Sequence, residues 1–529
     1  MDRDRRPLSL GRIATVAVPV AFLAVFFLWP LLAILERSLV VDGELDLPFD
    51  VLFSRGTLET AWFTLWLATV STALTLVAAL PLAWALARFS FRGRSLVEAL
   101  VLVPFVLPTV VVATAFLALL PDRLERTVWA ILLAHVFFNV AVVVRVVGAF
   151  WAGLDPRLDA AAATLGASPA QRRLRVTAPL LAPAVASAAS IVFLFCFTSF
   201  GVIVVLGGIH YATLEVEIYN QAARLFDLRT AAALAILQLA AVGATVLVSG
   251  RLERRRGRRG RARVHVPPRP VGGERLLVGI AVGGSLALLA LPPLALVARS
   301  IRVGDGYGLD HYSALLDETP ALLVTPWHAV ANSLLFAAAA TAIALSVGIP
   351  AAVAVARGRG AVDALLMLPL GASAAMLGFG FLLAFDEAPL DLRSSPVIVP
   401  LAQSLVAIPF VVRSLVPALR ALEARLTEAA AVLGASPWQV RRQVELPLLA
   451  RPLAVAAGLA FAVALGEFGA TVFVVRADWP TVPVAIFRFL GRPGGDNVGI
   501  AMALSVVLML IVTAVALLSE RSLLGVRRR

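Results

Sequence analysis

Long apolar runs separated by short polar segments repeat along the whole chain, and the apolar stretches carry no charged face: SLALLALPPLALVA (Ser285 to Ala298) is one of many. A helix needs about 20 apolar residues to cross a bilayer. Twelve runs meet that length, near 13–35, 58–87, 96–120, 128–150, 183–206 and 230–250, then near 276–298, 329–356, 361–385, 395–419, 452–475 and 498–519. The pattern predicts an all-α membrane protein of about 12 transmembrane helices in two sets of six. Pro81, Pro104, Pro108, Pro350, Pro369 and Pro409 fall inside runs. Such kinks are tolerated in membrane helices because neighbouring groups re-satisfy the freed backbone.

Composition agrees. The 529 residues are 60% hydrophobic and 15% charged, with mean hydropathy +0.91, more apolar surface than a water-soluble core absorbs. All 46 basic side chains are arginine. Without a lysine the chain has no standard phosphate-binding ATPase loop. Cys196 stands alone, so no internal disulfide forms, and core packing is its expected role. The five histidines, His135, His210, His265, His311 and His328, show no metal-ligand spacing. The N-terminal run, of about 23 residues after a basic start, exceeds a signal-peptide core and is expected to stay as a membrane helix.

With the N-terminus placed inside, the inner segments hold 34 Arg against 12 Asp and Glu, and the outer segments 12 Arg against 20. Positive residues accumulate on the cytoplasmic side, so both termini are expected there, in the plasma (cell inner) membrane. The segment Arg251 to Arg275 carries ten Arg with Gly and Pro and no hydrophobic period. A nucleic-acid or anionic-lipid patch is one reading; its position favours a flexible linker that helps fix topology. The expected organisation is 1–57, first span and external loop; 58–250, first permease domain; 251–275, linker; 276–328, seventh span and external loop; 329–519, second permease domain; 520–529, tail.

The halves repeat. At a constant offset of 268, AAAATLGASPAQRRLRVTAPLLAP (Ala160 to Pro183) and EAAAVLGASPWQVRRQVELPLLAR (Glu428 to Arg451) agree at 15 of 24 positions. The match continues through TSFG (Thr198 to Gly201) and GEFG (Gly466 to Gly469), and upstream LPLAWALAR matches IPAAVAVAR at nearly the same offset. Six spans per half keep the two copies in one orientation, a parallel duplication about an axis along the membrane normal. Both polar copies lie between the fourth and fifth run of a half. Each reads as a short helix ended by Gly-Ala-Ser-Pro, with Ser168 or Ser436 as the next N-cap and Pro169 or Pro437 at the first helical position.

E-A-A, three residues, Gly, nine residues, then hydrophobic-x-Leu-Pro resembles the signature of permease subunits of binding-protein-dependent ABC importers. Glu428, Ala429, Ala430, Gly434, Val444, Leu446 and Pro447 fit it fully. Ala161, Ala162, Gly166 and Pro179 fit in the first copy, which has Ala160 in the Glu position and Ala178 in the Leu position. The resemblance implies a type I importer fold. It also implies that these loops couple to two cytoplasmic ATPase subunits, that ATP and Mg act there and no cofactor belongs to this chain, and that an extracytoplasmic binding protein delivers the solute. Lipid is the remaining partner, with no nucleic acid. A permease of this kind is not an enzyme: it moves solute by rocking between two states.

A fused pair of six-span halves resembles the subgroup that carries thiamine or ferric iron. FTSFGVIVVLGGIHYATLEVEIYNQ (Phe197 to Gln221) resembles the thiamine type more, while ALGEFGATVFV (Ala464 to Val474) is also similar to molybdate and sulfate permeases; a polyamine is a further alternative. Polar groups and glycines cluster where the fifth and eleventh runs end, so Ser199, Gly201, Glu467 and Gly469 are the candidate solute path. A carboxylate at Glu467 is costly in a bilayer unless it faces protein or water; it either lines the path or ends in the outer interface beside an Arg such as Arg476. Glu215, Glu217, Tyr211, Asp478 and Trp479 are expected in outer segments, at the mouth of the path or as solvated loop and interfacial residues. A secondary transporter with duplicated halves is the rival class; it has no need of two docking loops.

Overall fold

The computed structural model describes residues 10–208, 210–256, 267–358, 360–386, 390–422 and 424–524; ten residues of the Arg-rich linker, 257–266, lie outside these. It is almost wholly helical. Among the described residues ten helices are long and apolar enough to cross a membrane: Thr15–Leu39, Arg55–Arg88, Val128–Ala152, Pro169–Phe197, Leu228–Leu247, Gly273–Ser300, Pro326–Ala356, Ile398–Ala421, Trp438–Gly466 and Gly495–Ser519.

Two expected spans are not single helices. The third run bends by 105° between Arg94–Pro104 and Thr109–Leu119. Pro104 and Pro108 weaken the backbone ladder there, and Leu107 is extended, as residues before proline tend to be. The ninth run divides into Gly360–Gly371 and Ala374–Ala384, the second piece starting on an N-cap: the Met376 amide donates to Ser373 Oγ at 3.0 Å. The fifth and eleventh helices also stop short of the expected ends, at Phe197 and Gly466, and short helices Gly201–Leu206 and Thr471–Val474 follow.

Hydroxyls inside the apolar helices return to their own backbone. Thr64, Thr72 and Thr75 donate to carbonyls four residues back at 2.7 Å. This removes the cost of a bare hydroxyl in an apolar setting.

Contacts divide the chain into two units. One comprises Met1–Pro48, Ile218–Ile236 and Leu309–Arg529; the other comprises Phe49–Glu217 and Leu237–Gly308. The first of these thus holds the first run and the eighth to twelfth, the second holds the second to fifth runs and the seventh, and the helix Leu228–Leu247 is divided at Ile236. In the first unit the N-terminal helix packs on Pro326–Ala356, and in the second Gly273–Ser300 packs on Arg55–Arg88 and on both arms of the bent pair. Within each unit the two most extensively packed helices are again equivalent, Arg55–Arg88 with Val128–Ala152 and Pro326–Ala356 with Ile398–Ala421.

The duplication extends to single hydrogen bonds. The Leu214 amide donates to Thr64 Oγ1 at 3.0 Å, and in the other unit the Val482 amide donates to Ser333 Oγ at 2.8 Å. Leu214 and Val482 are 268 apart, Thr64 and Ser333 269 apart. Short antiparallel hairpins, Val40–Val41 with Glu44–Leu45 and Arg302–Val303 with Gly306–Tyr307, follow the first and seventh helices in the same way.

Candidate functional site

Both repeated polar segments fold as expected from their residues. In the first, Asp155 accepts from the Arg157 amide at 2.9 Å and starts the helix Pro156–Thr164. Gly166 ends it at φ +83°, and the Ala167 amide reaches back to the Ala162 carbonyl at 3.1 Å. In the second, the helix is Ala424–Val432, Gly434 sits at φ +86° and the Ala435 amide bonds the Ala430 carbonyl at 3.0 Å. A positive φ of this kind is cheap only for glycine, which gives the motif's glycine its physical reason.

The next helix opens on a reciprocal cap in both copies. The Ser168 amide donates to Gln171 Oε1 at 2.9 Å while the Gln171 amide donates to Ser168 Oγ at 3.3 Å; Ser436 and Gln439 repeat this at 2.7 and 3.3 Å. One turn of π-helix follows in each, Arg173–Thr177 and Arg441–Glu445. Such turns insert one residue and recur at functional sites.

These loops present apolar side chains outward. Leu165 is 87% exposed in the first loop, and Val432, Leu433 and Trp438 are 87%, 87% and 67% exposed in the second. Ala161, Gly166, Pro179, Glu428, Ala429, Gly434, Leu446 and Pro447 are also exposed, with Ala162 and Ala430 half-buried. The copies differ in their charges. Asp159 sits one residue before Ala160 and faces inward, 2.8 Å from Arg172 Nη1 and 3.9 Å from Arg88. Glu428 remains on the surface.

The candidate path residues lie where the fifth and eleventh helices end. Ser199 follows Phe197, its Oγ 3.0 Å from His135 Nε2, and His135 Nδ1 is 2.9 Å from Ser71 Oγ. Asn139 donates to the His135 carbonyl at 2.9 Å and approaches Cys196 Sγ at 3.5 Å. The sequence reading missed this buried chain. Its signal was present: His135 and Asn139 are one helical turn apart in an otherwise apolar run. Gly201 is buried at the start of Gly201–Leu206.

Glu467 is buried, and its carboxylate accepts from the Ala470 amide at 2.7 Å, the Thr471 amide at 3.0 Å and the Thr471 hydroxyl. Arg476 is not its partner. That guanidinium lies 3.4 Å from Asp478 and donates to the Ser394 carbonyl at 3.1 Å. Gly469 packs tightly: a Cβ there would lie 2.9 Å from Ala374 Cβ, and one on Gly378 would lie 2.5 Å from the Ala470 carbonyl oxygen. Glu215, expected in an outer segment at the mouth of the path or as a solvated loop residue, is fully buried and accepts from Gln238 Nε2, so it is not a solvated residue. Among the described residues no three His, Cys, Asp or Glu side chains are placed to hold a metal.

The family model for the binding-protein-dependent transport system inner membrane component matches twice, over residues 79–256 and 285–523. The chain belongs to this family. Each match covers one of the two repeated loops, so this family member carries both permease copies in one polypeptide. It is 28% identical over 488 residues to the thiamine transport system permease protein ThiP of Brucella abortus, spanning 87% of each chain. It is also 28% identical over 497 residues to the Escherichia coli protein of that name, spanning 87% of this chain and 89% of that one. A putative 2-aminoethylphosphonate transport system permease protein, PhnV of Salmonella paratyphi A, is 34% identical over 154 residues, 29% of this chain and 57% of that one.

Proposed function

We propose that this permease imports thiamine, delivered by an extracytoplasmic binding protein and driven by two cytoplasmic ATPase subunits seated on the exposed loops around Glu428 and Ala161. The similarity to the thiamine permeases over 87% of both chains carries the substrate reading; PhnV is similar over 29% of the chain alone. The loops fit the partner reading because their apolar side chains are exposed on capped, rigid turns, which is how a docking surface presents anchors. Both termini and both loops then lie in the cytoplasm, a placement the Arg distribution supports.

ATP binding closes the ATPase pair, the loops transmit that closure, and the permease exchanges an inward for an outward state. The chain contributes different binding energies in two conformations and no covalent chemistry, and the nucleotide with its Mg acts in the partners. Each unit by itself offers one turn as a solute contact, Ser199 with Gly201 in one and Glu467 with Gly469 in the other. Aromatic rings gather beside the second turn, Phe468 with Phe487 at 5.4 Å and Tyr219 with Phe473 at 5.5 Å. Rings of this kind suit a flat cationic heterocycle.

The test is reconstitution with the cognate ATPase and binding protein. Thiamine-loaded binding protein should stimulate ATP hydrolysis, and stimulation by a ferric-iron binding protein instead would overturn the substrate assignment. Uptake that proceeds with no ATPase present would overturn the importer reading itself.

A further inference from the structure

A groove of about 970 Å³ opens at the loop-bearing end of the unit Phe49–Glu217 with Leu237–Gly308. Its long wall is apolar, formed by Leu80 and Pro81, Leu181 and Val185, and Leu277 and Ile280 from three different helices. Its other end is polar, with Arg88, Arg172 and Arg173 beside Asp159 and Glu274. Trp84 and Trp151 stand along the groove as well, the residue type that marks the headgroup level of a membrane.

Three features of this arrangement point to one kind of ligand. First, Leu277 and Ile280 are 47% and 62% exposed in the whole chain, so the apolar wall is open and suits a chain lying along it rather than an enclosed polar solute. Second, the guanidinium groups are only partly used. Asp159 orients Arg172 through Nη1, leaving Arg172 Nε buried with no acceptor among the described residues. Arg173, on the exposed side, has no ion pair among them. The polar end carries three positive and two negative groups, a net charge of +1. Third, the other repeat keeps an arginine for Arg88 (Arg357) and for Arg173 (Arg441) but not the pair between them: Thr427 stands for Asp159 and Val440 for Arg172 at the offset of 268. The Arg172 held by a carboxylate therefore belongs to one copy.

We propose that this groove binds one anionic phospholipid from the leaflet on the loop side. The phosphodiester meets Arg172 and Arg173, adding acceptors to guanidinium groups that Asp159 satisfies only in part, and the acyl chains lie along Leu277, Ile280 and Leu181. Basic pockets between transmembrane helices on the cytoplasmic side take anionic headgroups in this way. The lipid then touches the first docking loop directly, through the Arg172 that holds Asp159.

The test uses the full chain, purified in mild detergent, delipidated and examined by native mass spectrometry. Phosphatidylglycerol and phosphatidylcholine with identical acyl chains are added in turn. One phosphatidylglycerol should be retained about tenfold more tightly than phosphatidylcholine, and glycerol 3-phosphate at equal concentration should not displace it. Two variants should each lose that one lipid: Arg172→Gln with Arg173→Gln, which removes the head contacts, and Leu277→Trp, which fills the apolar wall and keeps every charge. Equal retention of the two lipids overturns the proposal, as does displacement by glycerol 3-phosphate, which would make the site one for free phosphate. Retention by either variant also overturns it, and if the arginine variant fails to fold, Leu277→Trp decides alone.

Discussion

Asp159 Oδ2 lies 2.8 Å from Arg172 Nη1, tying the helix Pro156–Thr164 of the first repeated loop to the helix that follows it. The same carboxylate is 3.9 Å from Arg88 at the end of Arg55–Arg88. The second loop has Thr427 and Val440 at the matching positions, so its sequence does not repeat this ion pair, and its Glu428 is exposed. One copy uses its carboxylate within its own fold, and the other leaves it on the surface, where the proposed ATPase contact would meet it.

Glu428→Ala should therefore weaken stimulated ATP hydrolysis in the reconstituted complex, by about tenfold if it removes one charge-assisted hydrogen bond. Ala160→Ser in the first loop should have little effect. Equal tolerance at the two positions would remove the partner contact assigned to Glu428.

Asp159→Asn should loosen the first loop without unfolding the chain. Both side chains are about a quarter exposed, and pairs of that kind contribute up to about 1 kcal/mol. A double-mutant cycle with Arg172→Gln, read by thermal unfolding, should show a coupling below that bound. A coupling of zero would mean the contact does no stabilising.

Gly434→Ala places a Cβ on a backbone at φ +86° with open space around it. The cost is conformational alone, about 1–2 kcal/mol. Gly434→Asn should recover part of it, since Asn tolerates this region, and ATPase co-purification should follow the same order. An alanine variant as stable as the parent would show that the turn adapts.

Glu467→Gln keeps the shape but replaces a carboxylate that accepts three hydrogen bonds. The expected loss is about 2 kcal/mol of stability. If the carboxylate acts by holding the turn, the apparent affinity for solute should shift less than the stability does. A large rise in KM at unchanged melting temperature would instead place the carboxylate in contact with the solute.

Asp227 caps the sixth helix from outside the membrane-spanning segment. The Thr230 amide donates to one carboxylate oxygen at 3.0 Å and the Thr230 hydroxyl to the other at 2.7 Å. The Thr230 amide holds the Asp227 pKa below the ordinary carboxylate range, with the hydroxyl and Arg229 adding to it. A lowered folded value means the stabilisation is complete above the ordinary pKa of about 4 and is lost as pH falls through the lowered one. Asp227→Ala should cost about 1 kcal/mol at neutral pH. The difference from the parent in thermal unfolding should shrink only in acid below that range; a gap that closes near neutrality would contradict the assignment.

Much of this protein was legible in the sequence because its signals are local. Apolar run length fixes which segments can enter a bilayer, and the backbone must then be helical, since no other conformation satisfies an isolated segment in lipid. The 268-residue repeat, the E-A-A…Gly motif and the Ser-Pro caps are local too, and Gly166 with Gly434 take the conformation that only their residue type makes cheap. What the runs could not reveal was where they break. The 105° bend of the third run and the early ends at Phe197 and Gly466 depend on which neighbours accept the freed backbone groups.

Side-chain partners were decided by tertiary structure alone. Glu467 turns back onto Ala470 and Thr471, Glu215 is buried against Gln238, and Ser199 meets His135 from 64 residues away. Composition states that a carboxylate in an apolar run needs donors, because leaving it bare is too costly. Only the folded chain supplies them, since donors that satisfy a buried group are chosen by proximity in space. The same holds for the exchange of first helices between the two units: one apolar face is as good as another until shape selects its partner.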